Sequence, residues 1–317
     1  MDLLEYNGST KNIRFKYWGY HTILLSKGYI YSIFSAVLFG SAGLFVKLAS
    51  GLGIEAISLL TLQYIIAVPL MFVIMYIFNK KSFKVTKKQL LRLAILGIVG
   101  NTFMTVFYYT AYNYLPIQMV AILLYTYPIM VFIYSAVFKK GSISYIKVFA
   151  VFLAFFGCLL TLDILSSRPK YSLIGVIFAL ICAMFYAFMN IYSEEKLQGI
   201  GPLTINAYST LFSLISLMIY KFPLFVFRGD VTKNLLIYTT ILAIFCEIIP
   251  LTLLYAAIKY IGSLKVSIIG NLEIPTAMIL SFFILHEHIT LMQIVGTVLV
   301  ICAIYMIRTK GTSTEKL

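Results

Sequence analysis

The 317-residue sequence is poor in charged residues, and above all in acidic ones. Only 11% of its residues are charged, against about 25% in a typical soluble domain, and just 11 residues are Asp or Glu. Apolar residues make up 61% of the chain, which is more than the interior of a soluble protein of this length can hold. These proportions exclude a soluble enzyme and a disordered chain, and they predict a protein that crosses a membrane several times.

Cysteine and the motifs of catalysis are also scarce. The four cysteines lie in apolar segments without a Cys-x-x-Cys pair, which argues against a disulfide framework or a zinc site. There is no Gly-x-x-x-x-Gly-Lys-Ser/Thr loop, no Gly-x-Ser-x-Gly turn and no His-Glu-x-x-His pair. The segment 286–288, His-Glu-His, is interpreted as a polar helix junction. We therefore expect no enzyme activity, no metal, no cofactor, and no ATP-driven pumping by this chain alone.

Long apolar runs dominate what remains. Each is close to the 20 or so residues that a helix needs to cross a bilayer, and each is too long and too uniform for a barrel strand. The sequence therefore predicts an all-α integral membrane protein with ten transmembrane helices. The runs cover residues 29–49, 57–78, 90–112, 116–138, 143–163, 171–192, 203–225, 233–258, 262–285 and 289–308.

The basic residues predict the orientation of these helices. Placing the N-terminus in the cytoplasm assigns most of the 25 lysines and arginines to cytoplasmic segments, as the positive-inside rule requires. The net charge of +14 then marks the cytoplasmic face of the protein and does not indicate a nucleic-acid partner. On this basis residues 1–27 form a cytoplasmic or interfacial segment, residues 309–317 form a cytoplasmic tail, and both termini are cytoplasmic.

An internal repeat appears at an offset of about 146 residues. It divides the chain into two halves of five helices, residues 28–165 and 166–308, and an odd number of helices inserts the second half upside down. Inverted repeats are typical of alternating-access transporters, whose substrate site lies near the midplane between the repeats. The matched pairs include Ala111 with Ala257, Tyr114 with Tyr260, Val120 with Val266 and, after a slip of one residue, Pro128 with Pro275.

Two glutamates lie near the centres of their apolar runs. Ionisable groups at that depth are costly and are therefore functional candidates. Glu247 corresponds to Asn101 through the repeat, and Glu273 corresponds to Tyr127. We expect a central cavity lined by these four residues and by Tyr125, in which a buried carboxyl binds a proton, a cationic substrate, or each in turn. The alternative is that the glutamates are protonated or hydrogen-bonded and only join helices.

Other residues of the apolar runs are given structural roles. Prolines inside a run predict kinks that open space beside the candidate residues. Small residues permit close helix contacts, and tyrosines near helix ends anchor the protein at the interface or pack against other helices. The prolines are Pro69, Pro128, Pro250 and Pro275, the glycines are Gly40, Gly43, Gly97 and Gly100, and the tyrosines are Tyr108, Tyr109 and Tyr112.

Four short motifs resemble the drug/metabolite transporter superfamily, in particular its EamA-type members. They are Phe39-Gly40-Ser41-Ala42-Gly43, Tyr125-Thr126-Tyr127-Pro128, Leu272-Glu273-Ile274-Pro275 with Glu287 after it, and Gly296. The resemblance covers about residues 28–308, and it implies the ten-helix fold and transport by alternating access. One departure is that Lys139-Lys140 stands where the family often has an acidic residue at the end of the fourth helix.

The sequence thus predicts a secondary active transporter in a bacterial-type plasma membrane. Its partners are the lipid bilayer and a small organic metabolite (an amino acid, an amine or a related compound, including drugs), with or without coupled protons. The family's common role favours export. The alternatives are a proton-coupled or facilitative importer of an amino acid, nucleoside or quaternary amine, a passive channel, and a membrane-embedded enzyme acting on lipid. A monomer and a homodimer are both compatible with the sequence.

Overall fold

The computed structural model describes residues 26–42, 44–45, 54–139, 144–162, 172–229, 231–286 and 288–310. Within these ranges every regular element is a helix and there is no strand, which confirms the all-α prediction for that part of the chain. The predicted N-terminal segment up to residue 25, Gly43, Lys47, Glu287 and the tail from residue 311 lie outside the described residues.

The main helices follow the predicted apolar runs closely. Among the described residues, eight of them are long and apolar enough to cross a membrane, α5 has 17 residues, and α1 is described only in part. Ten membrane spans therefore stay a prediction. In chain order the helices are α1 (26–42), α2 (Ala56–Phe78), α3 (Lys87–Tyr112), α4 (Ile117–Leu124 and Tyr127–Phe138), α5 (Tyr145–Thr161), α6 (Leu173–Lys196), α7 (Pro202–Tyr220), α8 (Lys233–Ile261), α9 (Ser263–Gly270 and Glu273–Leu285) and α10 (Leu291–Lys310).

One end of the helix assembly is rich in lysine and arginine, and we call it the basic end. There the Arg92 guanidinium donates to the Lys196 carbonyl over 2.9 Å, which joins the start of α3 to the end of α6. The end of α4 meets the same end of α6 through Lys139 and Glu194, whose charged atoms are 2.6 Å apart. At the opposite end of the assembly, Lys221 after α7 pairs with the Glu55 carboxylate just before α2.

Four helices are interrupted near their middles. A wide, π-type turn occupies Leu96–Phe103 in α3 and another occupies Ile244–Ile248 in α8. The breaks in α4 and α9 lie at residues 125–126 and 271–272. Both pairs of interruptions are related by the 146-residue offset that the sequence repeat predicted. Because a π-type turn or a break frees backbone groups and redirects side chains, these positions are suited to lining a site.

Proline explains three of these interruptions. Pro128 has no N–H to donate to the carbonyl of Leu124, and the first half of α4 ends at Leu124. Pro275 likewise has no N–H to donate to the carbonyl of Asn271, which lies in the break of α9, and Pro250 lies two residues after the wide turn of α8. The three prolines predicted to open space beside the candidate residues thus lie at or next to interruptions. Pro69, by contrast, lies inside α2, which is continuous from Ala56 to Phe78.

Helices α5 and α10 approach so closely that their crossing accommodates only glycine. A Cβ atom added to Gly157 would lie 2.8 Å from the Gly296 carbonyl oxygen, and one added to Gly296 would lie 2.5 Å from the Gly157 oxygen. Backbone atoms cannot swing away as a side chain can. Gly40, Gly97 and Gly100 also lie at helix contacts, as their small size predicted.

Replacing Gly296 with alanine is expected to lower the thermal unfolding midpoint of the purified protein. The added methyl group forces α5 and α10 apart, and overpacking of this kind costs about 1–3 kcal/mol. Gly201→Ala is the matched control, since its Cβ would meet only the Thr204 hydroxyl, at 3.4 Å. Fluorescence-monitored unfolding of both variants in detergent checks the expectation, and equal midpoints would contradict it.

Candidate functional site

A cavity of about 230 Å³ lies between the interrupted helices, and we call it the central cavity. Its volume is roughly that of seven or eight water molecules, enough for a small organic compound. No lysine or arginine of the described chain lines it. The polar and aromatic residues of its wall are Phe39, Gln63, Tyr64, Asn101, Thr105, Tyr108, Tyr109, Tyr186, Glu247 and Glu273.

Glu247 lies in the wide turn of α8 and is only 5% exposed. One of its carboxyl oxygens accepts a hydrogen bond from the Thr210 hydroxyl over 3.1 Å. The amide of Asn206 donates to the backbone carbonyls of Glu247 and Ile248 over 3.4 and 3.2 Å, so α7 holds the widened backbone in place. This carboxyl is therefore positioned firmly, yet it has no basic partner in the central cavity. A proton or an organic cation would supply the missing positive charge.

Glu273 opens the second half of α9, directly after the break. Helix α1 approaches it at Gly40, where an added Cβ would lie 2.6 Å from the Glu273 carbonyl oxygen. Contrary to the prediction, Tyr125 does not line the central cavity but a second one, which Glu273 also lines. The second cavity thus brings Tyr125 and Glu273 together.

Asn101 lies in the wide turn of α3, opposite Glu247 in the repeat, and it lines the central cavity. Its side chain is 4% exposed, and neither its amide nitrogen nor its amide oxygen hydrogen-bonds to any described residue. A buried polar group without a partner costs about 1–3 kcal/mol. An amide left in this state at a cavity wall is available to bind a ligand's donor and acceptor groups.

Tyr127 departs from the prediction, because it does not line the central cavity. Its hydroxyl donates to the Ser267 carbonyl over 3.0 Å and lies against Gly270, where an added Cβ would be 2.5 Å away. The break in α4 turns the side chain towards the first half of α9, and its ring packs on Tyr186 with centroids 4.3 Å apart. Tyr127 therefore joins the two broken helices and supports the cavity wall from behind.

Replacing Tyr127 with phenylalanine is expected to lower the stability of the folded protein by about 0.5–1.5 kcal/mol. The hydrogen bond to Ser267 is lost while the ring contacts remain. Because the hydroxyl does not reach the central cavity, the affinity for substrate should change by less than about threefold. Thermal unfolding and ligand titration of the same preparation test the two parts. A large loss of affinity at unchanged stability would contradict this expectation and show that the Tyr127 hydroxyl takes part in substrate binding.

Sequence reasoning gives Tyr108 and Tyr109 packing or interface roles, and their rings do pack against each other and against Tyr112. It misses that they also line the central cavity, together with Tyr64 and Tyr186. A signal was available in α3, since Asn101, Thr105, Tyr108 and Tyr109 recur at helical spacing and so share one face. Tyr64, Tyr186 and Gln63 lie on other helices and carry no comparable pattern.

The segment around His288 holds no cluster that could bind a metal ion, as far as the described residues extend. His286 adopts a left-handed conformation, with φ of 55°, at the end of α9. His288 lines the second cavity together with Tyr125.

Comparison with known proteins shows relatives over most of the chain. The uncharacterized transporter YcbK of Bacillus subtilis is 25% identical over 276 residues, which cover 85% of this chain and 88% of YcbK. An uncharacterized transporter of Archaeoglobus fulgidus is 25% identical over 282 residues, covering 85% of this chain and 93% of that protein. Another, from Clostridium kluyveri, is 22% identical over 290 residues, covering 87% and 91% respectively.

The fold is also found in a protein of known crystal structure. That structure superimposes with a TM-score of 0.76 at 12% identity, and the match covers 92% of this chain and 99% of the other. The model of the EamA-like transporter family matches residues 26–163 and again residues 173–309. The chain therefore belongs to the EamA-like transporter family and is a membrane transporter.

Proposed function

We propose that this transporter is a secondary active carrier that exports a small ammonium-bearing metabolite, an amine or an amino acid, across a bacterial-type plasma membrane by alternating access. The observation that carries the proposal is the pair of carboxyls, Glu247 and Glu273, in a tyrosine-walled cavity without a lysine or arginine in its described lining. A cation over tyrosine faces and beside a carboxyl gains from both contacts. We assign the two glutamates as proton or cation sites and Asn101 as a polar contact.

The proposal includes ten membrane spans in two inverted halves, residues 28–165 and 166–308, with both termini in the cytoplasm. Its support is the repetition of the wide turns and of the helix breaks at one offset, and the two matches of the family model. The basic end is then the cytoplasmic end. In the structure that end is joined across α4, α6 and α9 by hydrogen bonds and an ion pair.

A charge series on one skeleton tests the substrate class. Benzyltrimethylammonium is a cation, phenylalanine a zwitterion with an ammonium group, and phenylacetate an anion, and all three carry a benzyl group. A ligand that binds only the folded protein raises its unfolding temperature. We expect benzyltrimethylammonium, phenylalanine or both to raise it, and phenylacetate to leave it unchanged.

Flux in proteoliposomes then tests transport itself. Radiolabelled benzyltrimethylammonium and phenylalanine should move at a rate that saturates with concentration, and excess unlabelled compound inside should accelerate entry of the labelled one. Stabilisation by phenylacetate alone, or no flux of any of these compounds, would overturn the proposed substrate class. Flux that rises linearly with concentration would indicate a channel instead of a carrier.

A further inference from the structure

Two cavities meet at Glu273. The central cavity lies on one side of it. On the other side lies the second cavity, which has a volume of about 330 Å³ and which we now call the outer cavity. Tyr108 also lines both cavities. The outer cavity extends to Gln118 near the start of α4, and to His288 and Gln293 around the start of α10. Those residues belong to the end opposite the basic end. Glu273 is therefore a lining residue of both cavities.

Of the two cavities, Glu247 lines only the central one. Its carboxyl accepts from Thr210, and Asn206 holds its backbone, so it has a single fixed orientation towards the substrate space. The two glutamates thus differ in access, although both are acidic groups at similar depth. A group that exchanges with the outside needs a path to it, whereas a group that anchors a substrate needs rigidity.

The described surroundings of Glu273 hold no lysine or arginine, because none lines the central or the outer cavity in that part of the chain. A proton or a bound cation can therefore neutralise the Glu273 carboxyl there. The titratable groups that line the two cavities with it are Tyr64 on α2, Tyr108 and Tyr109 on α3, Tyr125 on α4, Tyr186 on α6, Cys246 and Glu247 on α8, and His288 after α9.

We propose that the two carboxyls divide the work of transport: Glu273 exchanges a proton with the outer cavity, and Glu247 anchors the ammonium group of the substrate. A proton from water in the outer cavity binds a Glu273 carboxylate oxygen, and the same carboxyl releases it after the carrier reorients. The assignment rests on the proposed transport function and deepens it. It implies that an inward proton movement drives the outward movement of substrate.

Two flux modes in proteoliposomes separate the roles. Exchange of labelled for unlabelled benzyltrimethylammonium needs substrate binding but no net proton movement. Accumulation driven by a pH gradient needs both, and the permanent charge of this probe prevents passive redistribution. For Glu273→Gln we expect gradient-driven accumulation to fall at least tenfold and exchange to fall no more than about threefold. For Glu247→Gln both should fall at least tenfold.

A third variant keeps the test independent of folding. Glu273→Asp retains a carboxyl but shortens it, whereas Glu273→Gln retains the shape without the acid. A proton-exchange role predicts that aspartate restores part of the gradient-driven accumulation, and a structural role predicts that glutamine is the better replacement. The division of roles is overturned if Glu273→Gln abolishes exchange, if it keeps gradient-driven accumulation, or if glutamine outperforms aspartate. Absence of both modes in the unaltered protein would instead overturn the proposed function for this probe.

Discussion

Replacing Asn101 with leucine is expected to make the protein more stable and at the same time to abolish high-affinity substrate binding. Within the described chain the buried amide makes no hydrogen bond, and burying a polar group without a partner costs about 1–3 kcal/mol, which leucine removes. The same amide faces the central cavity, and its loss should weaken binding at least tenfold, or about 1.4 kcal/mol. Thermal unfolding with and without ligand measures both effects.

Asn206 provides the matched control for this substitution. It is fully buried, and its amide nitrogen donates to Glu247 and Ile248 carbonyls and to the Thr252 hydroxyl, while its oxygen accepts from Thr210. Asn206→Leu leaves those partners unsatisfied and should therefore destabilise the protein. Opposite signs at the two asparagines would mark Asn101 as a ligand contact. Destabilisation at both positions would show that Asn101 is structural.

Replacing Glu194 with alanine is expected to open the basic end. The Glu194 carboxylate accepts from the Ser263 N–H over 2.9 Å and from the Ser263 hydroxyl, and it pairs with Lys139. One side chain thus joins α4, α6 and α9, which the proposed alternating access requires to separate at this end. The Glu194 side chain is about a quarter exposed, so solvent weakens the pair, but the hydrogen bonds to the start of α9 add to it.

The opening can be measured by cysteine labelling at Ser267, which is buried one turn beyond Ser263. In a protein with Ser267→Cys, and with the exposed Cys302 replaced by serine, Glu194→Ala should raise the labelling rate by a polar maleimide about tenfold. That factor corresponds to about 1.4 kcal/mol. Glu195→Ala is the control, because the Glu195 carboxylate accepts a hydrogen bond from the Tyr134 hydroxyl of α4 and, within the described chain, makes none with α9. Equal labelling in the two variants would exclude a closing role for Glu194.

Much of the architecture was predictable because it depends on local properties of the chain. The length of each apolar run set the helix boundaries to within a few residues, and the prolines in three runs marked where helices are interrupted. The repeat offset led from Glu247 to Asn101, although nothing in the sequence around Asn101 predicts a wide turn. The wide turn of α3 contains no proline, so the only sequence signal for it was the corresponding segment of α8 in the second repeat.

The side chains of the cavity were less predictable, since helices that are apolar on most of their surface do not reveal which face is turned inward. The sequence predicts that Tyr127 lines the cavity and that Tyr108 packs against other helices. In the structure Tyr108 lines the central cavity, whereas Tyr127 lies behind its wall and donates to Ser267. The break before Tyr127 rotates the following half-helix, and the angle of that rotation cannot be predicted from residue spacing.

The scarcity of charge by itself determined the membrane environment, the helical class and the identity of the two mid-depth glutamates, because all three follow from composition and position along the chain. Only the tertiary structure decided that Glu247 faces one cavity and Glu273 faces two. Access to a side chain depends on the neighbours that surround it, and those neighbours come from α1, α3, α4 and α6, far apart in sequence.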